Sequence, residues 1–156
     1  MSFEWDLLRC PENFEALPGR SDVGRILCLW HTGGTLHGIS YSVFETHAPH
    51  GYAVRRIAFT RDAVYGDEAP ASDELVNEVL AAFEALHLPP FRRPTAFGCD
   101  GQTTGVIFGT TWRRTDIQWW SGCRDNDWEP LEKAWGSARF KLEQLFAGHQ
   151  RQYLYF

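Results

Sequence analysis

Two stretches with helical periodicity divide a chain whose other segments alternate in the manner of β-strands. Apolar residues recur at intervals of three and four from residue 75, and again from residue 131. Such a stripe marks the apolar face of an amphipathic helix, which must pack against another element. The first stripe is Leu75, Val76, Val79, Leu80, Phe83 and Leu86, and the second is Leu131, Ala134, Trp135, Ala138, Leu142, Leu145 and Phe146. We therefore expect two helices that lie on a sheet, with Trp135 in the core.

Strand-forming segments precede each helix. Before the first helix they are Arg25 to His31, Leu36 to Glu45 and Tyr52 to Thr60; before the second they are Pro94 to Cys99, Gln102 to Trp112 and Thr115 to Trp120. Alternating apolar and polar residues bounded by Gly, Pro or Asp are typical of antiparallel strands. The sequence predicts a single α+β domain over residues 1–156. Its mainly antiparallel sheet has about six strands in two meanders, packed against two amphipathic helices.

Three further segments qualify this prediction. The acidic, proline-bearing segment Asp62 to Ala71 is interpreted as a connection to the helix cap at Ser72. The apolar tail from Tyr153 is expected to dock on the body or to add an edge strand. A local similarity between the segments that begin at Gly34 and Gly101 leaves a duplication open, and the sequence does not decide between one sheet and two.

Composition limits the classes of partner. The chain has 44% hydrophobic and 22% charged residues and a formal net charge of −5, which is globular and repels nucleic acid at long range. The N-terminal region is acidic and no apolar run is long enough to span a membrane, so we expect a cytoplasmic protein with reduced cysteines. The pairs Arg55-Arg56, Arg92-Arg93 and Arg113-Arg114 are interpreted as solvated residues at strand ends and turns. A local basic patch is the alternative, if the fold brings them together.

The candidates for a metal site are Cys28, His31, His37, His47 and His50. On an extended strand, Cys28 and His31 point to opposite faces because their separation is odd. Close ligand pairs such as Cys-x-x-Cys or His-x-x-x-His do not occur in the chain. We therefore predict no metal, although the sequence leaves the question open.

Catalytic motifs are missing as well. The chain has no Gly-x-Ser-x-Gly elbow, and its glycine-rich turns lack the lysine of a phosphate loop. Cys99, beside Asp100, has no positive neighbour that would lower the pKa of its thiol. No catalytic residue and no cofactor are predicted.

Tryptophan is the remaining unusual feature, since five of the seven lie between residues 112 and 135. Trp119 and Trp120 must face opposite sides of the sheet, so one of them needs a partner outside the core. Either the tail Tyr153 to Phe156 or the loop 122–128 covers it, or it is exposed. An exposed tryptophan beside acidic residues has the composition of a protein-binding hot spot. The predicted partner-binding residues are Trp112, Asp116, Trp120, Asp125 and Asp127.

In its small size, its acidity, its aromatic-rich sheet and its lack of catalytic motifs, the chain resembles the single-domain immunity proteins with which bacteria neutralise a cognate toxin. The resemblance is one of general character and carries over no individual residue. It implies a non-catalytic inhibitor whose acidic aromatic surface binds a basic protein, with no role for nucleic acid or membrane.

Two other classes of function remain open. One is a small-molecule-binding or enzymatic α+β domain with a pocket between the sheet and the helices, in which His31, His37 or Asp100 supply polar contacts. The other is a self-associating structural protein that uses the same tryptophans in a symmetric homodimer.

Overall fold

The computed structural model describes residues 3–21, 24–33, 37–47, 50–88, 102–110, 112–120, 128–149 and 152–155, with side chains from residue 6 to residue 149. Its helices are α1 (Phe3–Arg9), α2 (Asp73–Glu84) and α3 (Glu129–Gln144), with a 3₁₀ turn at Pro11–Asn13. Its strands are β1 (Arg25–Thr32), β2 (Gly38–His47), β3 (His50–Phe59), β4 (Ala63–Ala71), β5 (Thr103–Thr110), β6 (Arg113–Trp120) and β7 (Gln152–Tyr155). The α+β class with an antiparallel sheet is confirmed.

The strands form one seven-stranded sheet in the order β6-β5-β1-β2-β3-β4-β7. β1 to β4 are a meander of consecutive strands, and the β5–β6 hairpin joins the sheet on the free side of β1. The second group of strands is therefore not the separate three-strand meander that was expected. Its strand β5 pairs with β1 on one side and with β6 on the other. Its first predicted strand, Pro94 to Cys99, lies outside the described residues.

The segment interpreted as an acidic connection is strand β4, which pairs with β3 from Tyr52 to Phe59. That prediction was wrong because the acids of β4 are neutralised within the sheet: Asp67 and Glu68 form ion pairs with arginines of β3. The C-terminal tail was expected either to dock on the body or to add an edge strand. The second alternative is confirmed, since β7 pairs with β4 and extends the sheet.

Each face of the sheet has its own core. On one face, which we call the helix face, α2 and α3 cover the apolar side chains Leu27, Leu29, Tyr41, Val43, Val54, Ala69 and Val106. On the other, which we call the N-terminal face, α1 and the following turn cover Cys28, Trp30, Ile57, Phe59, Val64 and Ile107. Burial on both faces explains the short apolar runs within β1, β3 and β5.

The two amphipathic helices are confirmed with the predicted buried sides. Ser72 caps α2 by accepting a hydrogen bond from the Leu75 amide at 3.3 Å. Val76, Val79 and Phe83 of α2 are buried, as are Leu131, Ala134, Trp135, Ala138 and Leu142 of α3. Among the described helices, none is both long and apolar enough to cross a membrane.

Arg55 and Arg56 do not lie at a strand end in solvent, as expected, but in the middle of β3 and buried on opposite faces. Arg56 donates to both oxygens of Asp67 on the helix face, at 2.9 and 2.5 Å. Arg55 donates to Glu68 on the N-terminal face, at 3.1 and 3.0 Å. A buried arginine is tolerated when its donors are paired in this way. Of the other arginine pairs, Arg113 and Arg114 are exposed, and residues 92–93 lie outside the described residues.

Candidate functional site

The β5–β6 hairpin presents the most exposed large aromatic side chain among the described residues. Its paired strands close at Thr110 and Arg113, so that Trp112 lies in the turn between them. Gly109 adopts a positive φ of 81° just before this turn, a conformation that side chains disfavour. Trp112 is 84% exposed, which leaves its indole free to contact another molecule.

Strand β6 is an edge of the sheet. It pairs with β5 on one side, and none of the described strands lies on its other side. Most of its residues are exposed, and they include neither proline nor lysine. An eight-residue edge of this kind presents unpaired backbone donors and acceptors to a partner strand.

The prediction that one of the two tryptophans packs beneath the helices is confirmed for Trp119, which lies against the core of the helix face. Alternation along β6 then directs Trp120 to the N-terminal face, where it is half-buried. Trp120 is therefore partly covered, and Trp112 is the better aromatic anchor of the two.

Asp116 also lies on the N-terminal face of β6, but its carboxylate is already paired. Arg9 of α1 contacts it, and Arg114 donates to it at 3.0 Å. Asp125 and Asp127 lie outside the described residues. On a strand, eight residues span about 27 Å, so Trp112 and Trp120 lie at opposite ends of β6 with Asp116 between them.

A different group of acids lies at the same end of the sheet as Trp112. We call this end the hairpin end: it holds the β5–β6 turn, the β2–β3 turn between His47 and His50, and the N-terminus of α2. From there α2 crosses the sheet toward β5, where Phe83 contacts Phe108 with ring centroids 5.3 Å apart. Its exposed acids are Asp73, Glu74, Glu78 and Glu84, and the helix contains no lysine or arginine.

Sequence reasoning missed these acids as part of a surface, although their signal was present. The segment DELVNEVLAAFE is amphipathic with acids on its polar side, and it was used only to place the helix. A cleft of about 270 Å³ beside the β2–β3 turn adds Glu45 to this acidic region, together with Asp73, His47 and His50.

A polar seam runs under the flank of α3 that faces away from α2. The hydroxyl of Tyr41 donates to Glu143, and Glu143 accepts from Arg56 at 2.6 Å. Burial and the neighbouring Glu143 carboxylate raise the pKa of Tyr41 above its ordinary value. Since Arg56 also holds Asp67, these groups satisfy one another and join α3 to the sheet.

The metal candidates are spread over the molecule. Cys28 is buried on the N-terminal face, whereas His31 lies on the helix face against Trp135, at a ring distance of 5.8 Å. His47 and His50 are cross-strand neighbours in the register of β2 and β3, at the hairpin end. Within the described ranges, no three His, Cys, Asp or Glu side chains lie close enough together to hold a metal ion.

Cys28 is unsuited to nucleophilic chemistry. Its thiol is fully buried, and this burial raises its pKa to about 11. Its Sγ lies 3.4 Å from the Leu8 carbonyl oxygen. Because the thiolate is the reactive form, this cysteine serves packing.

No protein-family model, curated protein or solved structure matches this chain.

Proposed function

We propose that this protein is a non-catalytic binding protein of the immunity or inhibitor type, which neutralises a cognate bacterial toxin by direct contact. The partner is a basic protein that docks on the hairpin end. The observation that carries the proposal is Trp112, 84% exposed in the turn beside an open edge strand.

The first support is energetic. A tryptophan side chain buries about 150 to 250 Å² when it is fully covered, and such anchors dominate many protein interfaces. In Trp112 that area faces solvent, and the hairpin holds its backbone in place, so little ordering is needed on binding. This indole is therefore suited to fill a pocket on a partner.

The second support is the backbone of β6. Strand addition to an open edge gives main-chain hydrogen bonds without regard to side chains, and side chains on either face then provide specificity. A partner strand along β6 would lie beside the exposed residues Arg113 to Asp116 and next to Trp112. One interface can thus combine strand pairing with an aromatic anchor.

The third support is charge. The chain has a net charge of −5, and exposed acids of α2 cross the hairpin end. Glu78 is paired with Lys141 of α3, whereas Asp73, Glu74 and Glu84 form no ion pair among the described residues. Negative potential at this end raises the rate of encounter with a basic protein and weakens as salt rises. Arg113 and Arg114 make the tip of the hairpin itself basic, so the expected partner contacts the acids of α2 and offers Trp112 a neutral pocket.

The experiment compares two exposed aromatic residues. Trp112→Ala removes the anchor, and Phe140→Ala removes a side chain that is 66% exposed on the outer side of α3. Each tagged variant is used to purify partners from the native cells at low and moderate salt, with mass spectrometry of what co-elutes. We expect the unaltered chain and Phe140→Ala to retain one stoichiometric basic protein that is lost as salt rises, and Trp112→Ala to lose it.

Inhibition is then tested with the captured protein. Co-expression of the unaltered chain should restore growth to cells that express this partner, and Trp112→Ala should not. Equal retention by both variants would show that the partner uses another surface. A captured protein that is not toxic would contradict the immunity function while leaving the interface intact.

A further inference from the structure

Strand β6, beyond which no described strand lies, is complementary to a second copy of itself. Its residues alternate between the two faces of the sheet. Thr115, Ile117 and Trp119 lie on the helix face, and Arg114, Asp116, Gln118 and Trp120 lie on the N-terminal face. When two copies of a strand pair antiparallel across a two-fold axis, residues equally far from the axis lie opposite each other on one face. The residue at the axis therefore decides which side chains meet.

Ile117 is the residue best suited to the axis. In that register Ile117 lies against Ile117, and Thr115 lies against Trp119, all on the helix face. Ile117 and Trp119 are only half-buried within one copy, where they pack on the edge of the helix-face core. Two copies would join these side chains into one row and remove apolar surface from water, which stabilises cross-strand pairs of this kind.

The same register matches polar groups on the N-terminal face, where Asp116 lies opposite Gln118. Arg9 and Arg114 both donate to Oδ2 of Asp116. Its Oδ1 thus remains to accept a hydrogen bond from the Gln118 amide of the second copy. Arg114 lies opposite Trp120, and a guanidinium over an indole face is a favourable cation–π pair. The charges of β6 therefore assist self-pairing in this register.

Other registers are less favourable. With Asp116 at the axis, two carboxylates lie directly opposite each other, which destabilises a strand pair. With Gln118 at the axis, only residues 116–120 of β6 are paired, against 114–120 when Ile117 is central. With Thr115 at the axis, Arg114 faces Asp116, but the paired residues are 113–117 and both tryptophans lie outside them.

We propose that two copies of this chain pair through β6 as an antiparallel dimer with Ile117 at the two-fold axis, so that their seven-stranded sheets become continuous. The dimer does not depend on the proposed toxin partner. Because it uses the same edge, a partner strand on β6 and a second copy exclude each other. The purified chain alone therefore tests the dimer, separately from the proposed function.

The register is tested with single introduced cysteines. Ile117→Cys places two thiols directly opposite each other, where Cα atoms about 4.5 to 5.5 Å apart permit a disulfide. Thr115→Cys is the matched control on the same face, because its two thiols lie four residues apart along the paired strands, about 13 Å. We expect mild oxidation to link Ile117→Cys into a covalent dimer, and to link Thr115→Cys no more than the unaltered chain.

Gln118 provides a second test that preserves the fold, because its side chain is exposed. Gln118→Glu places a carboxylate opposite Asp116 of the second copy, whereas Gln118→Lys places an ammonium group there. In sedimentation at several concentrations the unaltered chain should dimerise. Gln118→Glu should weaken the dimer about threefold or more, since each dimer contains two such pairs, and Gln118→Lys should strengthen it.

Gln144 controls for net charge. It is exposed at the end of α3, where the neighbouring Glu143 contacts β2 and β3 rather than β6. Gln144→Glu and Gln144→Lys should leave dimerisation unchanged.

Four results would overturn the proposal. The first is a chain that stays monomeric at the highest concentration it tolerates, and the second is Thr115→Cys linking as readily as Ile117→Cys. The third is an equal effect of the same charge at Gln118 and Gln144. The fourth is a reversed order of the two Gln118 variants, because Gln118 faces Arg114 when Asp116 lies at the axis.

Discussion

At the scale of the residue, two tryptophans meet the sheet at one glycine. Trp30 is the cross-strand partner of Gly105 and lies over it on the N-terminal face, while Trp135 donates to its carbonyl from the helix face. A Cβ on Gly105 would overlap the Trp30 ring. The absence of a side chain at this position therefore allows β5 to pass between the two cores.

Gly105→Ala should consequently destabilise the protein by about 1 to 3 kcal/mol, because the overlap forces Trp30 or the strand to move. Gly136→Ala is the matched change: a Cβ there meets nothing within 4 Å, and α3 should gain about 1 kcal/mol from the better helix former. Urea unfolding of both variants measures the two effects. If Gly105→Ala were as stable as Gly136→Ala, or more stable, the Trp30 ring would not be confined against Gly105 as described.

At the scale of the element, polar clamps hold the N-terminal segment against the sheet. Arg55 donates to the carbonyl oxygens of Pro11 and Pro18, at 2.9 and 2.5 Å, as well as to Glu68. Arg20, at the end of this segment, binds the same carboxylate from the other side. Burial raises the pKa of Glu68, but the Arg20 hydrogen bond and the charges of Arg55 and Arg20 prevail and hold it below 4.5.

A carboxyl with a lowered folded pKa stabilises the fold above its unfolded pKa, and that stability is lost as pH falls through the folded value. The contribution of Glu68 is thus full above about pH 4.5 and disappears at lower pH. Glu68→Gln should lower stability at neutral pH by about 3 kcal/mol, since it leaves Arg55 buried without a counter-charge. Its stability should also fall less than that of the unaltered protein between pH 5 and the acid range.

Glu129→Gln provides the control for this prediction. Glu129 also has a lowered pKa, caused by its hydrogen bond to and the charge of Lys133, but it is fully exposed. Melting temperatures across the acid range should therefore change little. If Glu68→Gln and Glu129→Gln show the same acid profile, the buried clamp does not hold the N-terminal segment.

At the scale of the whole molecule, the two edges of the sheet differ in how much of their backbone is open to another strand. β6 presents its full length as an edge, with no described strand beyond it. On the other side, β7 covers β4 from Ala63 to Gly66, and the uncovered half of β4 carries Pro70. Proline cannot donate a ladder hydrogen bond and discourages strand addition. Among the described strands, β6 therefore offers the longest open edge, with eight residues against the four of β7 at the other edge.

Deletion of residues 152–156 should expose the covered half of β4 as a second edge. We expect a loss of about 1 to 3 kcal/mol in stability and a self-association that increases with concentration more than that of the full chain. Thermal unfolding and sedimentation at several concentrations measure both. A monomeric deletion variant with an unchanged melting temperature would show that β7 contributes little to closing the sheet.

Local pattern explains which predictions from sequence were correct. The stripes of α2 and α3 follow the helical period, and alternation settled the opposite faces of Trp119 and Trp120 and of Cys28 and His31. Prediction of β4 failed because its polar residues are paired across strands, and hydropathy does not register an ion pair. The candidate surface was found in part: Trp112 was identified, whereas the acids of α2 were assigned only to a helix cap and a polar side.

The sequence by itself determined α2, α3 and the strands β1, β2, β3, β5 and β6, because helix and strand periods depend on neighbours within a few residues. It also determined which sides of α2 and α3 are buried. Only the tertiary structure decided that β5 pairs with β1, that Arg55 and Arg56 lie buried with Glu68 and Asp67, and that Arg139 meets His31 across Trp135. These contacts join residues far apart in the chain, and their energies depend on the order of the strands and on burial, which no local pattern contains.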